Sequence, residues 1–472
     1  MSSRSSRISL IVSGTATSAW RAGRLASTSL VAFVIYLSGA GVTYGAQLMI
    51  ARLVGSEGYG MYAYVFSWMT IFAYASALGF DISMLRFVPV YRAQGAWPLL
   101  RGVNQYAERR VALAGLGVVA FGVALILARP AALSQGLRMT FLAGIGLVPI
   151  WALLWVRCST VRALGGVVAG LLPDRLVRDG MLVVLLGIAS FVLRWRVDAP
   201  IAMLATVLSA ALGLGLASVA AYRRWPDSAR HVRAEYLAPR WRRTALPLVG
   251  IAIGEVVMNR TGVVLLGWSG DTRAAGIYAL AFNLAFVVAL PRTAVNAWFA
   301  PTISALYALN DHAALQRLVS RTAGWTLIGA IGLAVPLGIL AGPLLGWFGR
   351  DFAGGLETIR ILLVGQVVAA SAGSQMFVLT MTGHERAGAL ILVFVAMLNA
   401  LLSALLIGSM GQTGAAIAAT TALIAWNVGM AVFIRLRVGL APGVWPVTRS
   451  RAWPGAFCAE ARLWLVSRTR SR

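Results

Sequence analysis

Apolar runs of about twenty residues recur along almost the whole chain, separated by short polar segments. A helix of that length crosses the hydrocarbon core of a bilayer. The pattern predicts helices at roughly 30–51, 61–80, 111–128, 139–156, 179–193, 200–221, 244–268, 276–300, 322–347, 358–381, 387–408 and 413–434. The fifth run is short and can begin earlier, within Val167–Leu172. Arginines concentrate in alternate connecting segments: Arg92, Arg101, Arg109 and Arg110, then Arg157, Arg162, Arg175 and Arg178, then seven from Arg223 to Arg243. Positive charge marks the cytoplasmic side. The expected fold class is therefore an all-α polytopic membrane protein of about twelve transmembrane helices, with both termini cytoplasmic.

The polar stretch Arg223–Arg243 is the longest and divides the helices into two sets of six. The expected organisation is a basic N-terminal segment at 1–29, a six-helix lobe at 30–222, a basic linker at 223–243, a second lobe at 244–437, and a basic tail at 438–472 carrying Trp445, Trp453 and Trp464. An internal repeat supports the division. Gly60-Met61-Tyr62-Ala63 follows the first helix, and Gly276-Ile277-Tyr278-Ala279 follows the seventh. Pro89 precedes Arg109 by the same interval that separates Pro301 from Arg321. With an even helix count per half, the lobes are parallel repeats about an axis along the membrane normal, and such transporters place the substrate between the halves.

Composition sharpens this picture. The 472 residues are 59% hydrophobic and only 12% charged, with a mean hydropathy of +0.79. A soluble domain is nearer 25% charged. The net charge of +26 ordinarily raises nucleic acid as a partner. Here the basic residues, all arginine, follow the topology, and anionic inner-leaflet lipids are the expected counter-charge. The absence of lysine suggests a GC-rich bacterial genome. Cys158 and Cys458 lie far apart in segments expected to be cytoplasmic, and His231, His312 and His384 have no ligand spacing. Neither a disulfide, a metal nor a cofactor is expected. Met1–Arg24 lacks the apolar core of a cleavable signal and is expected to be retained.

A charge at bilayer depth costs at least about 2.5–3.5 kcal/mol, so it normally faces the bundle interior or a wet cavity. The seventh helix carries Glu255, Asn259 and Arg260, and the eighth carries Asn283, Arg292 and Asn296. Arg24 and Arg52 flank the first helix, while Asp81 and Arg86 follow the second. Gln366, Gln375 and Asn399 lie in later helices. One reading is a cationic cavity for an anionic head group such as a pyrophosphate, since the arginine fork matches phosphate oxygens. Substrate-binding candidates are Arg24, Arg52, Arg86, Asn259, Arg260, Asn283 and Arg292; ion-coupling candidates are Glu255 and Asp81. The structural alternative is that Glu255 pairs with Arg260, Asp81 pairs with Arg86, and Arg52 and Arg86 snorkel to the interfaces. There is no Walker A motif, acidic catalytic pair or large soluble loop, so no enzymatic activity is expected.

Three stretches carry a family resemblance. Ala51-Arg52-Leu53-Val54-Gly55-Ser56-Glu57-Gly58-Tyr59-Gly60-Met61-Tyr62 resembles the first-loop pattern of bacterial polysaccharide flippases. These are the Wzx-type O-antigen and exopolysaccharide translocases of the MOP exporter superfamily, which also holds lipid II flippases and MATE drug exporters. Ala275–Ala279 with Ala300-Pro301 resembles the family's seventh-to-eighth helix region, and Gly411–Ala418 resembles the entry to its last helix. The resemblance spans roughly residues 25–440. It implies a V-shaped bundle of twelve or fourteen helices, two lobes of six, and alternating access. The implied cargo is an undecaprenyl-pyrophosphate-linked oligosaccharide, moved from the inner to the outer leaflet of the inner membrane on an ion gradient. Arg52 matches a motif arginine. Relatives often carry Asp before the arginine late in the seventh helix; this chain has Asn259 there, leaving Glu255 as a substitute. A polysaccharide polymerase or glycosyltransferases are the protein partners to expect.

Two other readings stand beside it. A MATE-like drug–cation antiporter predicts a cavity rich in carboxylates and aromatics; here intramembrane arginine exceeds carboxylate. A non-transporting scaffold of a polysaccharide synthesis complex predicts that the ionisable helix residues are dispensable.

Overall fold

In a bilayer the backbone must satisfy its own hydrogen bonds, and the apolar runs do so as helices. The computed structural model describes residues 3–128, 133–293 and 311–444, together with Val295, Ile303 and Leu306, with side chains described at Val31 and from Val34 onward. Among the described residues all regular structure is helical: α1 Ser3–Ala77, α2 Phe80–Ala93, α3 Trp97–Ala128, α4 Gln135–Gly144, α5 Leu147–Ala163, α6 Val167–Leu172, α7 Arg178–Gly187, α8 Ala199–Arg224, α9 Asp227–Arg230, α10 Ala238–Trp268, α11 Thr272–Phe286, α12 His312–Phe348, α13 Leu356–Ala372, α14 Gln375–Met381 and α15 Glu385–Phe433. Nine helical stretches among these residues are long and apolar enough to cross a membrane. Two of them, Val34–Ala93 and Glu385–Val438, run 60 and 54 residues and are broken internally, so each supplies two crossings. The fifth run does begin at Val167, and π-helical turns at Pro173–Val177 and Ile188–Val192 interrupt it. With it the crossings number about twelve, as the hydropathy pattern predicts.

The long helices fold back at glycine. Gly55 (φ 73°, ψ −179°) and Gly411 (φ 54°, ψ −131°) leave the helical region, at φ values that glycine adopts without a Cβ clash. Beyond Gly55, the Tyr59 hydroxyl donates to Gln47 Oε1 at 3.0 Å. Beyond Gly411, a Cβ on Gly414 would stand 2.4 Å from the Leu406 carbonyl oxygen. In a straight helix these residue pairs would be separated by about 18 and 12 Å. We call the two parts of α1 its first and second arms.

Contacts divide the chain into two compact units. The first comprises Met1–Asn283, Gly342–Leu356 and Ser403–Ala415; the second comprises Leu284–Ala341, Glu357–Leu402 and Ala416–Arg472. In the first unit α5 is buried around most of its circumference, as expected of a helix that is apolar on all sides. It packs against α8, α2, α3 and α1. One core cluster joins Phe80, Met84, Phe87 and Tyr91 of α2 with Leu100, Val103, Ala107 and Val111 of α3, and closes over Trp241 of α10. The Trp241 indole N–H donates to the Tyr91 hydroxyl at 2.9 Å. In the second unit Leu315, Val319, Val378, Met430 and Ile434 form the core. There the Gln316 amide exchanges two hydrogen bonds with the Ala441 backbone, at 2.8 and 2.7 Å.

Several boundaries differ from the sequence expectation. Residues 97–110, read as a loop for their arginines, form the first half of α3. Leu100, Val103, Ala107 and Val111 recur at three- and four-residue intervals and bury one face, while Arg109 and Arg110 are exposed. Asp81 and Arg86 lie on α2 rather than after a helix. Cys158 is not in a connecting segment but buried in α5. Arg175 and Arg178 belong to the helical fifth run. The linker is helical except for residues 225–226 and 231–237. Cys458 and the tail tryptophans lie outside the described residues.

The repeated tetrapeptides meet in the first unit. A Cβ on Gly60 would lie 1.6 Å from the Thr272 carbonyl oxygen and 3.0 Å from the Gly276 nitrogen; one on Gly276 would lie 2.2 Å from the Ser56 carbonyl oxygen. Asp351 ties this crossing, accepting from Ser56 Oγ at 3.2 Å and from Arg273 Nη2 at 2.8 Å. Gly60→Ala is expected to cost about 1–3 kcal/mol through overpacking, read as a lower unfolding midpoint. Gly41→Ala, where a Cβ meets nothing within 4 Å, is the neutral control.

Candidate functional site

The second arm of α1 places Tyr59, Tyr62 and Phe66 at intervals of three and four, hence on one face. They stack in sequence, with ring centroids 6.2 Å apart for Tyr59–Tyr62 and 5.5 Å for Tyr62–Phe66. Phe66 meets Trp151 of α5 edge-on at 5.2 Å, Trp151 stacks on Trp155 at 5.6 Å, and Trp155 lies 4.2 Å from Tyr74. The result is a continuous aromatic wall inside the first unit.

Two guanidinium groups rest on this wall. Arg178 Cζ lies 5.2 Å from the Trp151 ring, and Arg260 Cζ lies 5.3 Å from the Phe66 ring. Both distances are in the cation–π range. Their charge environments differ. Arg178 grips Asp179 with two nitrogens, at 2.8 and 3.0 Å, and Asp174 at 2.9 Å. Asp179 is 6% exposed and also accepts from Thr43 of α1. Asp174 further accepts from the Trp155 indole at 3.3 Å and pairs with Arg175 at 3.5 Å. Two cations thus face two carboxylates, and the cluster is neutral. Arg260 takes part in none of the ion pairs among the described residues. Its electrostatic neighbours are the phenols of Tyr44, Tyr59, Tyr62 and Tyr74. An anion reaching the wall at this end meets a positive charge that forms no ion pair among the described residues.

A polar chain completes the wall. Asn283 Nδ2 donates to the Tyr59 hydroxyl at 3.1 Å, which in turn donates to Gln47. Tyr62 bonds Thr206 at 3.1 Å. The buried Trp151 indole N–H has no hydrogen-bond partner among the described residues.

Of the residues singled out from sequence, Arg260 and Asn283 come together on this wall. Asn259 instead donates to the Glu255 carbonyl of its own helix at 2.9 Å. Glu255 is exposed on α10. Arg52 is exposed at the end of the first arm, 4.9 Å over Trp347. Arg86 is exposed on α2, and Asp81 occupies that helix's first turn, where the helix dipole favours a carboxylate. Arg292 is half-buried in the second unit. Arg24 and Asn296 lie outside the residues whose side chains are described. Sequence reasoning missed Asp174 and Arg178, because their segment read as a loop, and Asp179 and Thr43, because nothing in the sequence pairs them across two helices. The usable signal was Asp174-Arg175-x-x-Arg178-Asp179 directly after the apolar run Val167–Leu172.

The fold is similar to that of an inward-facing MATE multidrug resistance transporter of the MOP superfamily, at 13% identity and a TM-score of 0.68, covering 87% of this chain and 98% of that one. It is also similar to the lipid II flippase MurJ in an inward closed conformation, at 14% identity and a TM-score of 0.64, covering 86% and 87%. A Vibrio cholerae MATE transporter, VcmN, aligns at 17% identity and a TM-score of 0.56, covering 87% and 98%. At these identities the likeness establishes the fold. No curated protein matches the chain significantly. A family model described as "Polysaccharide biosynthesis protein" matches residues 25–306, more than half of the sequence. This all-α, multi-pass membrane protein belongs to the polysaccharide biosynthesis protein family.

Proposed function

We propose that the protein is a flippase that moves a polyprenyl-pyrophosphate-linked oligosaccharide across the bacterial inner membrane by alternating access, for cell-surface polysaccharide synthesis. The observation that carries this reading is Arg260, a cation held on an aromatic wall within a membrane-spanning helix and outside every described ion pair. A charge so placed is expensive unless it serves a partner, and the arginine fork suits phosphate oxygens. Phe66, Tyr74 and Trp155, the partly exposed rings of the wall, suit sugar rings, and the half-buried Asn283 supplies a hydrogen bond in place of water. Family membership supports a polysaccharide cargo. The alternating arginines support cytoplasmic termini, and two repeats of the Gly-x-Tyr-Ala motif support two parallel lobes.

The neutral cluster supports ion coupling, and it adds Asp179 as a candidate beside Glu255 and Asp81. Glu255 is exposed, whereas Asp179 is buried against Thr43 of α1 and Arg178. Protonation of Asp179 would free Arg178 from one of its two carboxylates and loosen the fifth run from α1.

The test is translocation of a fluorescent polyprenyl-pyrophosphate oligosaccharide in proteoliposomes, with and without a proton or sodium gradient. Gradient-dependent transport is expected, and Asp179→Asn is expected to transport at the same rate with and without the gradient. Gradient-driven efflux of a cationic drug, with no glycan movement, would instead establish the antiporter reading.

A further inference from the structure

We propose that the segment between α8 and α10 forms, with the start of α3, a second binding site, one for a phosphate-bearing anion. Residues 231–237 are not loose. The Glu235 N–H donates to the Pro98 carbonyl at 3.1 Å. Arg101 Nη1 donates to the carbonyls of Arg230 and Val232 at 2.5 and 2.8 Å. The Tyr236 hydroxyl donates to Gln105 Oε1 at 2.9 Å. The strap lies so close to α3 that a Cβ on Gly102 would stand 1.7 Å from the Glu235 carbonyl oxygen. Between strap and helix is an open, solvent-facing pocket of about 430 Å³, lined by Arg101, Gln105, His231, Arg233 and Tyr236 among others. That volume is in the range of small-molecule sites.

The chemistry of the lining selects an anion. Two arginines, a histidine, an amide and a phenol face the space, and no carboxylate lines it. The two carboxylates of residues 223–243 are elsewhere: Asp227 pairs with Arg230 at 3.3 Å, and Glu235 is outside the lining. Arg101 donates to two neutral carbonyls and forms no ion pair among the described residues. Two guanidinium groups on a fixed backbone form a fork-lined site of the kind that binds phosphate oxygens. The phosphate can belong to a membrane phospholipid headgroup or to a soluble compound. This site is separate from the aromatic wall and does not depend on the transport reading.

The test uses full-length protein in phosphatidylcholine nanodiscs and follows amide hydrogen exchange across 231–237. In one arm inorganic pyrophosphate is added; in the other phosphatidylglycerol is mixed into the disc. Exchange is expected to slow in at least one arm. Slowing by pyrophosphate assigns a soluble ligand, and slowing by phosphatidylglycerol alone assigns a lipid headgroup. Arg233→Gln, which breaks none of the strap's contacts, is expected to raise the half-maximal amount about tenfold, the loss of one charge-assisted hydrogen bond. Arg243→Gln, outside the lining, is expected to leave it unchanged. No slowing in either arm, or equal effects of the two variants, overturns the site.

Discussion

Arg260→Ala is expected to lower glycan translocation by between tenfold and a hundredfold while leaving the protein folded. The magnitude follows from the interaction removed. Hydrogen bonds to a charged partner contribute roughly 1.5–3 kcal/mol, and each 1.4 kcal/mol is a factor of about ten. Folding is spared because Arg260 belongs to none of the described ion pairs. The truncation removes its contact with Phe66, which for a partly desolvated pair is worth about 0.5–2 kcal/mol. Arg260→Lys keeps the charge but loses the planar fork, so transport between the wild-type and alanine values is expected. The check is initial transport rate beside the unfolding midpoint of the same preparations. Wild-type transport by the alanine variant would remove the pyrophosphate from this position. A midpoint that falls with the rate would make Arg260 a structural residue.

The opposite separation is expected at Arg178. Its side chain and that of Asp174 are each 14% exposed, and Arg178→Met would leave Asp174 and Asp179 facing each other without their shared cation. Removing one partner of a buried pair costs about 3–5 kcal/mol, so a large fall in the unfolding midpoint is expected in detergent. The triple variant Arg178→Met, Asp174→Asn, Asp179→Asn is expected to recover most of that loss, because it neutralises the buried charges together and leaves only Arg175, whose side chain is 48% exposed. If the single and triple variants unfold alike, the ion pairs do not hold α7 in place. Arg178 is thus expected to be read chiefly in stability and Arg260 chiefly in rate, although both cations rest on the same aromatic wall.

The contrast explains what could be read in advance. Arg260 was legible because a charge in the middle of an apolar run is conspicuous, and its energetic cost demands a reason. Arg178 was not, because it stands beside Asp174, Arg175 and Asp179, and four charges in six residues resemble a solvated loop. Only packing shows that the signs cancel. The twelve spans were legible because bilayer thickness fixes their length. The first half of α3 was not, since its arginines outweighed the apolar period of Leu100, Val103, Ala107 and Val111. The Gly-x-Tyr-Ala repeat was visible in the sequence, but that its two glycines touch is a fact of packing. Arg52 and Arg86, chosen for their proximity to helix ends, are exposed, as snorkelling side chains are.

The fold-back at Gly411 has a consequence for how the chain enters the membrane. From Ala387 to Ile434 there is no charged residue, and the turn itself, Gly408–Gly414, offers none. An insertion machinery that meets this stretch therefore finds no charged loop to set sidedness between the two crossings. The orientation of the hairpin is expected to be set from outside it, by Arg386 at one end and Arg435 and Arg437 at the other. A glycine that closes a turn in the finished protein thereby lets the last two spans share one set of orienting charges.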